Sequence, residues 1–109
     1  MSQPPSFYMS FKNKYVDLAA AYENLGKECQ KAGPLNSRER ALAKLAIAIG
    51  AGLEGAVHSH TRRALDAGVS SDEIRHTVFL SMTTIGFPSM MKALAWIEDV
   101  LPAGQATQE

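Results

Sequence analysis

The sequence has almost no cysteine, no excess charge of either sign and no long apolar run. Cys29 is the single cysteine, so a disulfide within the chain is excluded. Eleven Lys and Arg offset eleven Asp and Glu, and a net charge of zero creates no field that attracts nucleic acid or an anionic membrane. Charges interrupt every apolar run before the roughly 20 residues that a membrane helix needs. We therefore expect a soluble protein with neither nucleic acid nor membrane among its partners.

The ends and the length of the chain give three further expectations. The first six residues lack the basic and apolar regions of a secretory signal, which predicts a cytoplasmic location. The 109 residues, 46% of them hydrophobic, suit one domain over residues 1–109. We expect residues 1–9 and 103–109 to be flexible, as chain ends often are.

No window shows sustained β alternation, so the sequence predicts an all-α fold of about five helices. The first helix is expected over about residues 10–31, because its apolar residues recur at steps of three and four. That stripe consists of Phe11, Tyr15, Leu18, Tyr22, Leu25 and Cys29. Gly33 and Pro34 should end this helix, with Gly33 in the left-handed conformation.

Capping signals mark the starts of later helices. Asn36 with Glu39, and Ser70 with Glu73, have the spacing of capping boxes. Between them, the run 41–49 is apolar except for Lys44, which predicts a mostly buried second helix. A third helix is expected over 54–67 and a fourth after Ser70, and Gly86 to Pro88 should separate the fourth from a fifth.

The chain carries more large apolar side chains than one small core readily covers. Besides the stripe of the first helix, these are Phe79, Phe87, Met90, Met91 and Trp96. We therefore expect a homo-oligomer.

With the helices placed, several motifs agree in order and spacing with one known family. Gly33-Pro34-Leu35, the Ala-rich helix, residues 54–68, residues 71–76 and Gly86-Phe87-Pro88 together resemble the carboxymuconolactone decarboxylase and alkylhydroperoxidase D superfamily, over about residues 33–101. The resemblance implies an alkylhydroperoxidase D-like helical bundle, assembled as a trimer or hexamer, that acts on a small molecule.

The chain lacks the catalytic groups of the peroxidase branch of this superfamily. The resemblance places the two cysteines of that branch at Leu53 and Ala56, its relay glutamate at Ala41 and its histidine at His60. Thiol peroxidase chemistry needs a thiolate and a resolving thiol, which neither position supplies. The sequence His60–Gly68 is closer to the cysteine-less decarboxylase branch, so thiol peroxidase activity is not expected at this site.

The candidate catalytic residues are His60 and Glu54. His60 can carry protons near neutral pH, and an anionic small molecule can be held by Arg62 or Arg63. His58 is a further candidate for substrate binding. The alternative is that His60 is a packed histidine with one backbone hydrogen bond.

We expect no metal and no cofactor. Glu54 and His58 share one helix face, but a third ligand is missing nearby in the sequence. His58 and His60 diverge by about 160° on a helix, so they cannot bind one metal ion alone. His76 is explained by a solvated helix face.

Two other residues leave alternatives open. Lys44 is either a desolvated amine of lowered pKa or a lysine whose stem follows the core while its amine stays in water or on a carboxylate. Cys29 is expected to be a small buried apolar residue or a subunit contact.

Three functions compete. The first is a decarboxylase-like enzyme or binding protein for a small organic acid, lactone or related electrophile, with His60 as the acid/base group. The second is a non-catalytic helical oligomer that serves as an interaction or ligand-sensing module. The third is peroxiredoxin-type hydroperoxide reduction through Cys29, which the resemblance alone suggests.

Overall fold

The computed structural model describes residues 6–102 and is helical, with no β-strand in that range. Its helices are α1 (Ser6–Lys14), α2 (Val16–Lys31), α3 (Ser37–Ala51), α4 (Glu54–Asp66), α5 (Ser71–Leu80), α6 (Met82–Ile85) and α7 (Phe87–Glu98). The predicted all-α class is confirmed. Two helices exceed the expected five because the first helix is interrupted at Tyr15 and the fourth is followed by the four-residue α6. No helix among the described residues is long and apolar enough to cross a membrane.

The chain separates after Leu35 into two compact units. The first contains α1 and α2, and the second contains α3 to α7. The single domain expected over residues 1–109 stays a prediction. The flexibility expected at residues 1–9 and 103–109 falls largely outside the described residues, although residues 6–9 belong to α1.

In the first unit, polar contacts join α1 to α2. The Tyr8 hydroxyl donates a hydrogen bond to Glu23 Oε2 at 2.9 Å, and Lys12 Nζ lies 3.0 Å from the same oxygen. The hydrogen bonds from Lys12 and Tyr8 lower the pKa of the Glu23 carboxyl. The carboxylate of Glu23 on α2 thus binds two side chains of α1.

The apolar stripe of the first unit is largely exposed. Its exposed members are Tyr15, Leu18, Tyr22, Leu25 and Cys29. Cys29 is exposed, so the expectation that it is buried within one chain is wrong, and the alternative of a subunit contact stays a prediction. The left-handed conformation expected at Gly33 is also wrong, because within residues 6–102 positive φ occurs only at Gly52, Gly68 and Gly86.

In the second unit, α3 begins with the predicted capping box. Asn36 Oδ1 accepts a hydrogen bond from the Glu39 backbone N–H, and Glu39 Oε1 accepts one from the Asn36 backbone N–H, each at 2.9 Å. Leu45 is fully buried in this helix, but Ile47 is 67% exposed. The expectation of a mostly buried helix is therefore wrong, because α3 buries one stripe and leaves apolar side chains on its other faces.

The core of the second unit forms where α4 packs on α3 and α7, and where α5 packs on α7. Val57 and Ala64, seven residues apart, bring one face of α4 into this core. The second predicted capping box, at Ser70 and Glu73, opens α5. The buried apolar residues are Leu45, Ala48, Ile49, Val57, Ala64, Val69, Ile74, Val78, Met90, Ala93, Ile97 and Leu101. Helix α4 is therefore a fixed scaffold for the polar residues beside its buried face.

Candidate functional site

Helix α4 carries the candidate residues on the two sides of its buried face. That face is formed by Val57, Thr61 and Ala64, and the Thr61 hydroxyl donates a hydrogen bond to the Val57 carbonyl at 2.7 Å. At about 100° per residue, His58 falls on one side of this face and His60 on the other. The helix thus presents two separate histidine environments.

The first environment surrounds His60, which is partly buried. Its pKa is lowered from the ordinary value of 6.5, first by burial and then by the positive charges of Lys44 and Arg63. A lowered pKa keeps the imidazole neutral at pH 7, so it can accept a proton. These two cations, Lys44 on α3 and Arg63 on α4, also favour the binding of an anion beside His60.

The side chain of Lys44 is exposed on α3. This agrees with the interpretation that its amine stays in water. Arg63 is likewise exposed, in the last turn of α4. The positive charge near His60 therefore comes from side chains that solvent and a small ligand can reach.

The residues at the positions of the peroxidase cysteines bring no thiol to His60. Leu53 directly precedes α4 and is exposed, and Ala56 lies in its first turn and is partly buried. Helical spacing places Ala56 and His60 one turn apart on the same side. Neither position 53 nor position 56 can therefore supply a thiol to His60.

The second environment surrounds His58. His58 Nε2 lies 3.0 Å from Asp99 Oδ2, and Asp99 is the residue that follows α7. Ligand atoms of Glu54, His58 and Asp99 all lie within 4.8 Å of one another. The expectation that no third metal ligand lies near Glu54 and His58 is therefore wrong, because the packing of α7 on α4 supplies Asp99.

The structure brings Glu54 to His58 and leaves His60 on the other side of α4. Among residues 6–102, no hydrogen bond or ion pair joins Glu54 to His60. Helical spacing puts Arg62, which is partly buried, on the His58 side and Arg63 on the His60 side. The five predicted site residues therefore divide into two groups.

Sequence reasoning missed Asp99 and the closeness of Lys44 to His60. Asp99 is 41 residues from His58 along the chain, and no local motif connects them. The sequence marks Lys44 as a charge in an apolar helix, but no pattern connects it to His60. The His58–Asp99 contact and the electrostatic effect of Lys44 on His60 both depend on how α7 and α3 pack on α4.

The model of the carboxymuconolactone decarboxylase family matches residues 17–99, well over half of the chain. The matched range includes α2 to α7 apart from the first residue of α2, and both histidine environments. No curated protein and no solved structure matches the chain.

Proposed function

The chain belongs to the carboxymuconolactone decarboxylase family, and from that membership and the surroundings of His60 we propose that it binds or transforms a small organic acid, lactone or related electrophile. The observation that carries the proposal is the partly buried imidazole of His60 with the charges of Lys44 and Arg63 close enough to lower its pKa. A neutral proton acceptor beside two cations suits a substrate with a carboxylate.

The two cations give the site its preference for anions. Lys44 and Arg63 lie on different helices and both act electrostatically on His60, so a carboxylate beside His60 would meet positive charge from α3 and from α4. An arginine can hold a carboxylate with two parallel hydrogen bonds, whereas lysine acts as a point charge. We assign these two residues to substrate binding, with His58 and Arg62 on the other side of α4 outside this anion site.

His60 is proposed as the acid/base group. In its neutral form it can remove a proton next to a carbonyl or lactone group and later return it, a contribution of about 10²–10⁴-fold in rate. The charges that favour neutral imidazole also stabilise negative charge that develops on the substrate. Glu54 has no part in this transfer, because it lies with His58 and Asp99.

The first test is turnover of carboxymuconolactone, measured as the release of CO₂. The second is calorimetry of the binding of a panel of small dicarboxylic acids and lactones. We expect binding or turnover by the unchanged protein and a loss of at least about 100-fold in kcat in His60→Gln. The matched control is His76→Gln, which changes an exposed histidine on α5. Full activity of His60→Gln on a compound that the unchanged protein transforms would refute the role of His60.

A second candidate is a non-catalytic helical oligomer, which the exposed apolar side chains of the second unit favour. Ile47, Leu80 and Phe87 are all more than half exposed in the isolated chain. A homo-oligomer, such as the trimer or hexamer that the family resemblance suggests, would cover such side chains. Sedimentation analysis of the unchanged protein and of Ile47→Asp tests this: we expect an assembly that the charged variant weakens. A monomer that also binds none of the panel would count against both candidates.

Hydroperoxide reduction is the third candidate, and the exposed free thiol of Cys29 is the observation in its favour. A catalytic cycle needs a second thiol to resolve the sulfenic acid, and the chain contains none. We expect Cys29→Ser and the unchanged protein to reduce hydrogen peroxide equally slowly. A clear loss of peroxide reduction in the variant would revive this candidate.

A further inference from the structure

The three side chains Glu54, His58 and Asp99, here called the carboxylate–histidine cluster, form a group that the reaction at His60 does not use. We propose that this cluster binds a divalent first-row transition cation of the Zn²⁺ class. The site is formed between the first two turns of α4 and the residue that follows α7.

The distances in the cluster suit one ion after small side-chain movements. Zn²⁺ lies about 2.0–2.2 Å from imidazole nitrogen and carboxylate oxygen, which places neighbouring ligand atoms of a tetrahedral site about 3.4 Å apart. His58 Nε2 and Asp99 Oδ2 are already 3.0 Å apart, and all three ligand atoms lie within 4.8 Å of one another. Glu54 is exposed, so its side chain has room to change rotamer and move toward the other two ligands.

The backbone fixes two of the three ligands relative to each other. Glu54 and His58 are four residues apart on α4, a spacing that places their side chains on one face. The third ligand is held because α4 and α7 pack together through buried residues such as Val57 and Ile97. A cation would therefore meet a cluster whose backbone positions do not need to change.

The charge of the cluster also favours a divalent cation. The cluster contains two carboxylate side chains, and within residues 6–102 neither of them has an ion pair with lysine or arginine. By contrast, Glu23 and Glu98 each pair with a cation.

The donor set points to a transition cation rather than Mg²⁺ or Ca²⁺. Imidazole nitrogen suits Zn²⁺ and its neighbours in the first row, whereas Mg²⁺ and Ca²⁺ prefer oxygen ligands alone. Three protein ligands leave a coordination position for water, and Asp99 is 60% exposed, so solvent reaches the cluster. The site lies on the side of α4 away from His60 and does not depend on the function proposed there.

The experiment is calorimetric titration of the metal-free, tag-free protein with ZnCl₂, repeated with MgCl₂. We expect one Zn²⁺ per chain, no comparable binding of Mg²⁺, and affinity lowered more than about tenfold in His58→Ala, Asp99→Asn and Glu54→Gln, since even residues that only support metal ligands have effects of this size. His76→Ala and Cys29→Ser are the matched controls, because each removes a metal-binding side chain outside the cluster. Both controls should bind Zn²⁺ as the unchanged protein does.

A second measurement separates loss of the site from loss of the fold. Thermal unfolding with and without ZnCl₂ should show a Zn²⁺-dependent rise in Tm for the unchanged protein and both controls, and no rise for the three cluster variants. Absence of Zn²⁺ binding by the unchanged protein would overturn the proposal. So would binding that survives in all three cluster variants or that disappears in either control.

Discussion

His58 Nε2 and Asp99 Oδ2 lie 3.0 Å apart and join the first half of α4 to the residue after α7, across 41 positions of sequence. His58 is 25% exposed and Asp99 60% exposed, so water screens this contact. The contact therefore positions the two side chains relative to each other and contributes little to stability.

The first prediction concerns that small contribution. Asp99→Asn keeps the size of the side chain and removes its charge, so we expect the free energy of unfolding to fall by less than about 1 kcal/mol. Urea denaturation of the metal-free variant and of the unchanged protein measures this difference in the free energy of unfolding. A loss of several kcal/mol would mean that the contact is a structural support, and the variant would then be unsuitable as a test of metal binding.

The second prediction concerns the charge beside His60. Lys44→Met removes a cation that disfavours the imidazolium form, so the pKa of His60 should rise toward 6.5. NMR titration of the imidazole measures the shift, and Lys92→Met on α7 is the control. An unchanged pKa in Lys44→Met would show that Lys44 does not act on His60.

The second prediction extends to the pH dependence of stability, which the lowered pKa of His60 also sets. His60 takes up its proton at a higher pH in the unfolded chain than in the folded chain. At pH values between these two pKa values, the unfolded state therefore binds more protons. The free energy of unfolding should therefore fall as the pH drops from 6.5 toward the folded pKa. His60→Gln should remove this part of the pH dependence in denaturation series at several pH values.

The third prediction concerns Arg75, whose side chain is 14% exposed. Arg75 Nε donates to Glu98 Oε2 at 2.7 Å and Nη2 donates to Glu98 Oε1 at 3.2 Å, a paired arrangement that lysine cannot make. Arg75→Lys should lower the free energy of unfolding by about 1 kcal/mol in urea denaturation. Asp72→Asn, at the 89% exposed carboxylate that also contacts Arg75, should change it by less than about 0.5 kcal/mol. Equal effects of the two variants would contradict this interpretation.

The fourth prediction concerns the turn before α7. Gly86 has φ 93° and ψ 160°, a conformation that side chains with a Cβ rarely adopt. Gly86→Ala should lower the free energy of unfolding by about 1–3 kcal/mol in urea denaturation. Gly50→Ala is the matched control, because Gly50 is helical with open space around its Cβ position and should be neutral or slightly stabilising. A similar loss in both variants would rule out backbone strain as the cause.

Local signals in the sequence predicted the helices well. Asn36 with Glu39 and Ser70 with Glu73 form capping boxes in the structure, because the side chain and the backbone group that it satisfies are only three residues apart. Gly86 to Pro88, expected to separate the last two helices, mark the start of α7, with Pro88 in its first turn. The interruption at Tyr15 was not predicted, because the apolar period continues across it.

The candidate site was predicted only in part. The histidines on α4 and their divergence follow from helical geometry, which the sequence encodes directly. The partners of those histidines do not follow from the sequence. Lys44 lies on α3 and Asp99 directly follows α7, and no local pattern predicts how these helices pack on α4. Because local patterns do not show which helix faces pack together, the run 41–49 was expected to be mostly buried, although Ile47 in it is exposed.

The sequence by itself determined the all-α class, the family, the helix starts at the two capping boxes and the absence of sulfur at positions 53 and 56, since these depend on residue identity and short-range spacing. Only the tertiary structure decided that Asp99 joins Glu54 and His58, and that the charge of Lys44 acts on His60. The physical reason is that electrostatic and ligand contacts depend on distances of a few ångströms. The packing of α3 and α7 on α4 sets those distances across tens of residues of sequence.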